Sequence, residues 1–211
     1  MNKKSSLLNK LKGYSALAGV TGVTIPSLVN GQIIYTDLYP DFECYNETNC
    51  DYNLDLNNDG VFDFKIHNYY TRTATGMVSA TRFTNTTSYA NAVGLENNQI
   101  DGANNFIIKN DFNDLIGDTQ YWTYDGILFS RYHRRYSDKS TGFWRNAADK
   151  YMGLKLKVQN KTYYGWVRLD IFSNGFNVKD YAYNSNPDQS ILTGDAGVFP
   201  FVKTSIKISS A

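Results

Sequence analysis

Met152-Gly153-Leu154-Lys155-Leu156-Lys157-Val158, the pair Gln159-Asn160, and then Tyr163-Tyr164-Gly165-Trp166-Val167-Arg168-Leu169-Asp170-Ile171 form the stretch that decides the fold. Met152, Leu154, Leu156 and Val158 alternate with Gly153, Lys155 and Lys157, the period of two expected of a strand with one buried face. Gln159-Asn160 turns the chain into a second alternating run, which predicts a β-hairpin. Val167, Leu169 and Ile171 share one face and are expected to pack with Leu154 and Leu156. Trp166, Arg168 and Asp170 fall on the other face. Val178 to Tyr183 predicts a further strand.

The rest of the chain reads the same way. Ile33 to Asp37 predicts a first strand, ended by Pro40. Met77 to Phe83 and Phe106 to Lys109 are short alternating pieces between Asn- and Gly-rich runs, and Asp111 to Gly117 has room for one helical turn. Aromatics make up 15% of 211 residues and Glu occurs only at Glu43, Glu47 and Glu96, a composition that favours strands and turns over helices. The expectation is a single-domain, all-β antiparallel sandwich of jelly-roll type over residues 32–195. Residues 196–211 would be a tail or last strand.

Between two strand-like flanks lies Asp55-Leu56-Asn57-Asn58-Asp59-Gly60-Val61-Phe62-Asp63. Calcium takes several oxygen ligands in a small volume, and alternate positions of a tight loop supply them: Asp55, Asn57, Asp59, the Val61 carbonyl and Asp63. Gly60 suits the sharp turn after the third ligand. An EF-hand is excluded, because the Glu required at its twelfth position falls on Ile66. Asp37 and Asp41 are further candidates to complete the shell, or plain surface acids. The alternative for the loop is a hairpin turn without metal, since Asp, Asn and Gly favour turns for backbone reasons alone.

The N-terminus reads as an export signal over residues 1–31. Lys3, Lys4, Lys10 and Lys12 precede the apolar segment Ala16 to Ile25, and Val29-Asn30-Gly31 offers a cleavage site before Gln32. That segment is too short and too rich in Gly and Thr for a membrane span; an ordinary N-terminal helix is the alternative. Cys44 and Cys50, six positions apart, fit a small disulfide loop in an oxidising compartment, with free thiols as the alternative. The expected location is therefore secreted, periplasmic or on the cell surface.

Tyr35-Thr36-Asp37 with Pro40-Asp41, the run Asp55 to Phe64, Tyr151 to Lys157, Tyr163 to Leu169 and Asp180-Tyr181-Ala182-Tyr183-Asn184 together resemble a family of secreted β-proteins common in Bacteroidota. The likeness covers most of residues 32–194. It implies the fold class, export, and a calcium loop at Asp55, Asn57, Asp59 and Asp63, and it carries no catalytic residue. Many relatives end in a sorting domain for type IX secretion; this chain ends soon after Gly194, so attachment by that route is not expected.

The net charge of +1 argues against a nucleic-acid or membrane-surface partner held by charge. No G-x-S-x-G elbow, H-E-x-x-H helix or Gly-rich phosphate loop is present. His67 reads as a packing or surface residue. Ser130 to Tyr136, with His133, is a basic aromatic stretch that reads as an exposed edge strand or as a seat for an acidic glycan or phosphate. Trp122, Tyr124 and Trp144 are the candidate ligand-binding aromatics, because flat rings stack on sugars. Core or cross-strand packing is their alternative, and the preferred one for Trp166. A calcium-stabilised module binding a glycan or a cell-surface component is the functional expectation. A glycan-active enzyme working through two carboxylates, or a structural and adhesion protein without a small ligand, are the alternatives.

Overall fold

The computed structural model describes residues 33–45, 49–78, 81–134 and 137–197, with side chains described for all but residues 71–78, 81–89, 91, 133, 134, 137 and 138. The expected signal segment and nearly all of the tail lie outside the described residues. So do Arg135 and Tyr136 and the side chain of His133. All described residues belong to one unit, residues 31–211.

Fourteen strands follow in chain order: β1 (Ile33–Cys44), β2 (Cys50–Leu54), β3 (Phe64–Val78), β4 (Thr81–Gly94), β5 (Gln99–Ala103), β6 (Phe106–Ile107) and β7 (Leu115–Ile116), then β8 (Trp122–Thr123), β9 (Asp125–Arg134), β10 (Ser137–Thr141), β11 (Ala147–Val158), β12 (Lys161–Phe172), β13 (Gly175–Asn184) and β14 (Ile191–Leu192). The all-β expectation holds, and among the described residues no helix is long and apolar enough to cross a membrane.

The hairpin that decided the reading is β11–β12, with Leu154 opposite Gly165 and Val158 opposite Lys161. Gln159 takes the left-handed backbone (φ 54°) that the tight turn demands. Twelve strands join into one sheet in the order β1-β13-β12-β11-β5-β6-β9-β4-β3-β2, with β10 and β8 attached at β9 and β5. An antiparallel sandwich was expected; here the ladders run continuously from one end to the other, and β6 pairs parallel to β9, which makes the sheet mixed.

The sheet curls until its two end strands meet. The Phe42 ring of β1 lies 5.0 Å from that of Tyr52 on β2, and a disulfide joins Cys44 to Cys50. Inside lies the main core, with Leu54, Phe64, Ile66, Ile100, Leu128, Trp144, Met152, Leu154, Val167, Leu169 and Phe176 all but sealed from solvent. Alternation sends Tyr164 and Trp166 to the outer face of β12, where they form a second cluster with Tyr151, Ala182, Ile116 and Ile191. The paired strands β7 and β14 supply Ile116 and Ile191, and so roof that outer face.

Three local expectations change. β1 continues through Pro40 to Cys44; the proline sits where pairing with β13 shifts between Asp37 and Phe42, on an end strand that spares its missing N–H. Met77 to Phe83 is not one strand, because Val78 closes β3 opposite Thr81 at the start of β4. Asp111 to Gly117 is a turn followed by β7 rather than a helical turn.

Candidate metal loop and surface aromatics

Leu54 ends β2 opposite Phe64 at the start of β3, so residues 55–63 form the hairpin connection, strand–loop–strand as expected. Gly60 (φ 90°) and Asn58 (φ 61°) take the left-handed backbone that turns the loop. The Asp55 carboxylate accepts hydrogen bonds from Asp59 N (3.2 Å) and Gly60 N (2.8 Å), and Asp59 accepts one from Val61 N (2.9 Å). Asn57 accepts from Asp59 N at 3.1 Å and donates to the Asp59 carboxylate at 2.9 Å. These are the local side-chain-to-backbone bonds that make Asp and Asn good turn residues. Val61 is exposed.

Asp63 is different, being only 6% exposed. Its Oδ2 accepts from Leu56 N (2.8 Å), while its backbone N–H donates to Leu54 O and its carbonyl accepts from Leu95 N, both at 2.8 Å. Asn98, itself buried, donates to the Asp63 carbonyl (3.3 Å) and Oδ1 (3.4 Å), and accepts from the Lys157 N–H of β11 (2.7 Å). The loop is thereby tied to the hairpin across the core. Burial, reinforced by the negative charges of Asp59 and Asp55, pushes the Asp63 carboxyl up to about 6.

Among the described residues no Lys, Arg or His pairs with Asp55, Asp59 or Asp63. Nor do any three Asp, Glu, His or Cys side chains among them converge as a ready metal cage. Asp55 and Asp59 aim their oxygens at the loop's own N–H groups instead. The donor set, all oxygen and all within nine residues, fits a hard cation such as calcium and no soft one. Asp37 and Asp41 are exposed on β1, Asp37 standing opposite Asp180 of β13 rather than in the loop. His67, on β3, pairs through Nδ1 with Asp51, and Lys65 joins the same carboxylate at 2.9 Å; the two hold the Asp51 carboxyl below the usual range.

The three candidate aromatics are not brought together as one platform. Trp144 is fully buried in the main core, with Nε1 donating to Ile107 O at 3.1 Å, so the exposed face expected of it does not exist. Its sequence context, a turn rich in Gly, Asn and charge, gave no sign that the indole points inward. Trp122 is half-buried, its ring 5.8 Å from that of Tyr164 and 5.3 Å below the Lys155 ammonium. Tyr124 is 55% exposed, and Tyr121, not singled out from the sequence, is 75% exposed.

One constellation was visible in the sequence only as scattered polar positions. On the outer face of β12 and β13, Arg168 grips Asp180 with Nε (2.9 Å) and a terminal nitrogen (2.6 Å), and Tyr35 of β1 donates to the same carboxylate at 2.8 Å. A pairing shift in β11 between Ala147 and Lys150 brings Asp149 to Arg168 (3.2 Å) and Lys179 (2.6 Å), while Lys179 also reaches Asp170 (2.8 Å). Burial and the Asp180 contact push the Tyr35 hydroxyl up to about 12, and Asp180 raises Arg168 further above its ordinary value. Two cations face three carboxylates here, each engaged, and with Tyr35 they make a brace joining four strands, β1, β11, β12 and β13. The signal was there in period two: Arg168 and Asp170 alternate with Val167 and Leu169. No family model, curated protein or solved structure matches the chain.

Proposed function

We propose that this is an exported, calcium-stabilised β-module, its two halves of sheet acting as the layers of the expected sandwich, that binds a glycan or a cell-surface component. The observation that carries the calcium reading is Asp63: a carboxyl 6% exposed, next to Asp55 and Asp59, with no described cation beside it. A divalent ion held by Asp55, Asn57, Asp59, the Val61 carbonyl and Asp63 would relieve that repulsion and stabilise the β2–β3 loop. Export is supported by the basic-then-apolar start of the chain, by the disulfide and by the resemblance to secreted β-proteins.

The test is thermal unfolding in calcium, in magnesium and in EDTA. At a hundredfold excess over the dissociation constant, a ligand of the folded state adds about 2.7 kcal/mol, or about 5–10 °C for a chain of this size. Calcium alone should give that rise, and Asp63→Ala should abolish it. Equal curves in calcium and EDTA would overturn the metal reading.

For the ligand, Tyr121 and Tyr124 are the favourable observation: two exposed rings flanking Trp122 in sequence. A glycan-array screen should find a binder whose signal falls with Tyr121→Ala and Tyr124→Ala. An empty array would leave a structural or adhesion role.

A further inference from the structure

The ribbon of β7 and β14 is apolar on both of its faces. Ile116 and Ile191 stand opposite each other and turn inward over Tyr164 and Trp166, all but sealed from solvent. Leu115 and Leu192, the next pair in the register, therefore turn outward, and they are 53% and 38% exposed. The ladder runs on past them, since Thr193 N donates to Asp114 O (2.9 Å) and Asn113 N to Thr193 O (3.0 Å). That brings in Phe112, 70% exposed, whose ring is seated so closely on Gly194 that a Cβ there would stand 2.5 Å from it. A ribbon that roofs a core needs one apolar face, and its other face is ordinarily polar. Phe112, Leu115 and Leu192 are thus an exposed apolar patch that the packing beneath them does not explain.

The same segment carries Asp111, Asp114 and Asp118, all exposed. Asp111 pairs with Lys150, but among the described residues no Lys, Arg or His pairs with Asp114 or Asp118. An occupant of this face should therefore be apolar and basic together.

We propose that the outer face of the β7–β14 ribbon is a docking surface for the chain's own C-terminal segment, residues 198–211, which lie outside the described residues. Val198, Phe199, Phe201, Val202, Ile206 and Ile208 supply the apolar side chains, Lys203 and Lys207 the positive charge, and the segment holds no Asp or Glu. Its starting point is close by. Asp195 N donates to Leu192 O (3.1 Å) and Gly197 N to the Asp195 carboxylate (2.9 Å), a turn that keeps the exit of the chain beside the ribbon. From Leu192 to Gly197 is at most about 18 Å of extended chain, whereas the segment beyond Gly197 can span about 46 Å. Being tethered, it meets the patch at an effective concentration on the order of 1 mM, which an outside partner of the same chemistry would have to exceed.

The test is paramagnetic-relaxation NMR on the full chain, with a nitroxide attached through Ser205→Cys; Cys44 and Cys50 are joined to each other and take no label. Loss of signal is expected at Phe112, Leu115 and Leu192, unchanged on dilution and absent from unlabelled chain mixed with nitroxide-bearing chain. Lys203→Glu with Lys207→Glu should restore part of the lost signal. Leu115→Ser with Leu192→Ser, both exposed positions that the core does not use, should restore the signal at Phe112. Signals untouched by the nitroxide, or a loss indifferent to both pairs of substitutions, would overturn the proposal. So would a loss that appears in the mixed sample and fades on dilution, which would make a second copy of the chain the occupant.

Discussion

Replacing Asn98 by alanine should be among the most damaging polar substitutions in the chain. Its side chain is 2% exposed and serves both sides of the core, donating toward Asp63 and accepting from Lys157 N at 2.7 Å. Alanine leaves the Lys157 N–H without its acceptor, at a cost of about 1–3 kcal/mol for a buried donor. The contacts to Asp63, at 3.3 and 3.4 Å, are long and add about 0.5 kcal/mol. The total of about 2–3 kcal/mol corresponds to a fall of about 5–10 °C in Tm for a chain of this length. Urea unfolding is the assay, and the midpoint should fall at an unchanged slope. Asn98→Asp makes the comparison diagnostic. It keeps the acceptor for Lys157 but turns a carboxylate toward Asp63, so in EDTA it should be as damaging as alanine, and calcium should restore more of the loss. A loss below about 1 kcal/mol for Asn98→Ala, within the usual range of an unimportant surface change, would refute the claim that this side chain ties loop to hairpin.

Arg168→Met should cost about 3 kcal/mol by thermal unfolding, because it strips the bidentate partner from Asp180, whose side chain is only 5% exposed; a loss under 1 kcal/mol would mean that Tyr35 alone suffices. Asp101 is 3% exposed and its carboxyl is raised by burial, with Asn110 as its one described side-chain partner at 3.1 Å. Since the folded value lies above the unfolded one, ionisation penalises the fold at neutral pH, and the penalty disappears as pH falls through the raised value toward about 4. Asp101→Asn should therefore stabilise at pH 8 and flatten the stability–pH curve between pH 8 and 4, whereas a variant weaker than the parent at pH 8 would contradict this sign. Replacing Cys44 and Cys50 together by serine should lower stability by about 2 kcal/mol, the chain-entropy value for so short a loop, as read by denaturant midpoint with and without reductant on the parent.

How much of this was legible follows residue by residue from what a sequence can encode. The β11–β12 hairpin was readable because Leu154, Leu156, Val167, Leu169 and Ile171 alternate with Lys155, Arg168 and Asp170, and the structure packs those five apolar side chains together as the alternation required. The loop at Asp55–Asp63 was readable as a strand–loop–strand connection because Asp, Asn and Gly carry their own turn chemistry. The long β3–β4 pairing was not, since polar runs such as Thr71-Arg72-Thr73 and Thr84-Asn85-Thr86-Thr87-Ser88 interrupt the apolar period. The depth of Trp144 escaped for a different reason: a single aromatic in a turn has no neighbours in sequence to fix its direction, and only packing against β9 and Ile107 decides it. A hollow of about 170 Å³ over β9, lined by Arg131, Arg145 and Ser173 among others, joins residues far apart in the chain, a closeness set by strand order and invisible to local pattern.

The meeting of β1 with β2 has a consequence for how this protein behaves in a crowd. A curled sheet with two open rims would offer unpaired N–H and C=O groups to any passing strand, the route by which β-proteins stick to one another. Here the rims are drawn together by Phe42 against Tyr52 and locked by Cys44–Cys50, while Pro40 leaves a gap in the donor row of β1. The bridge therefore acts as a guard against self-association as well as a stabiliser. Reduction should increase aggregation, read by light scattering, at temperatures where the fold itself still stands.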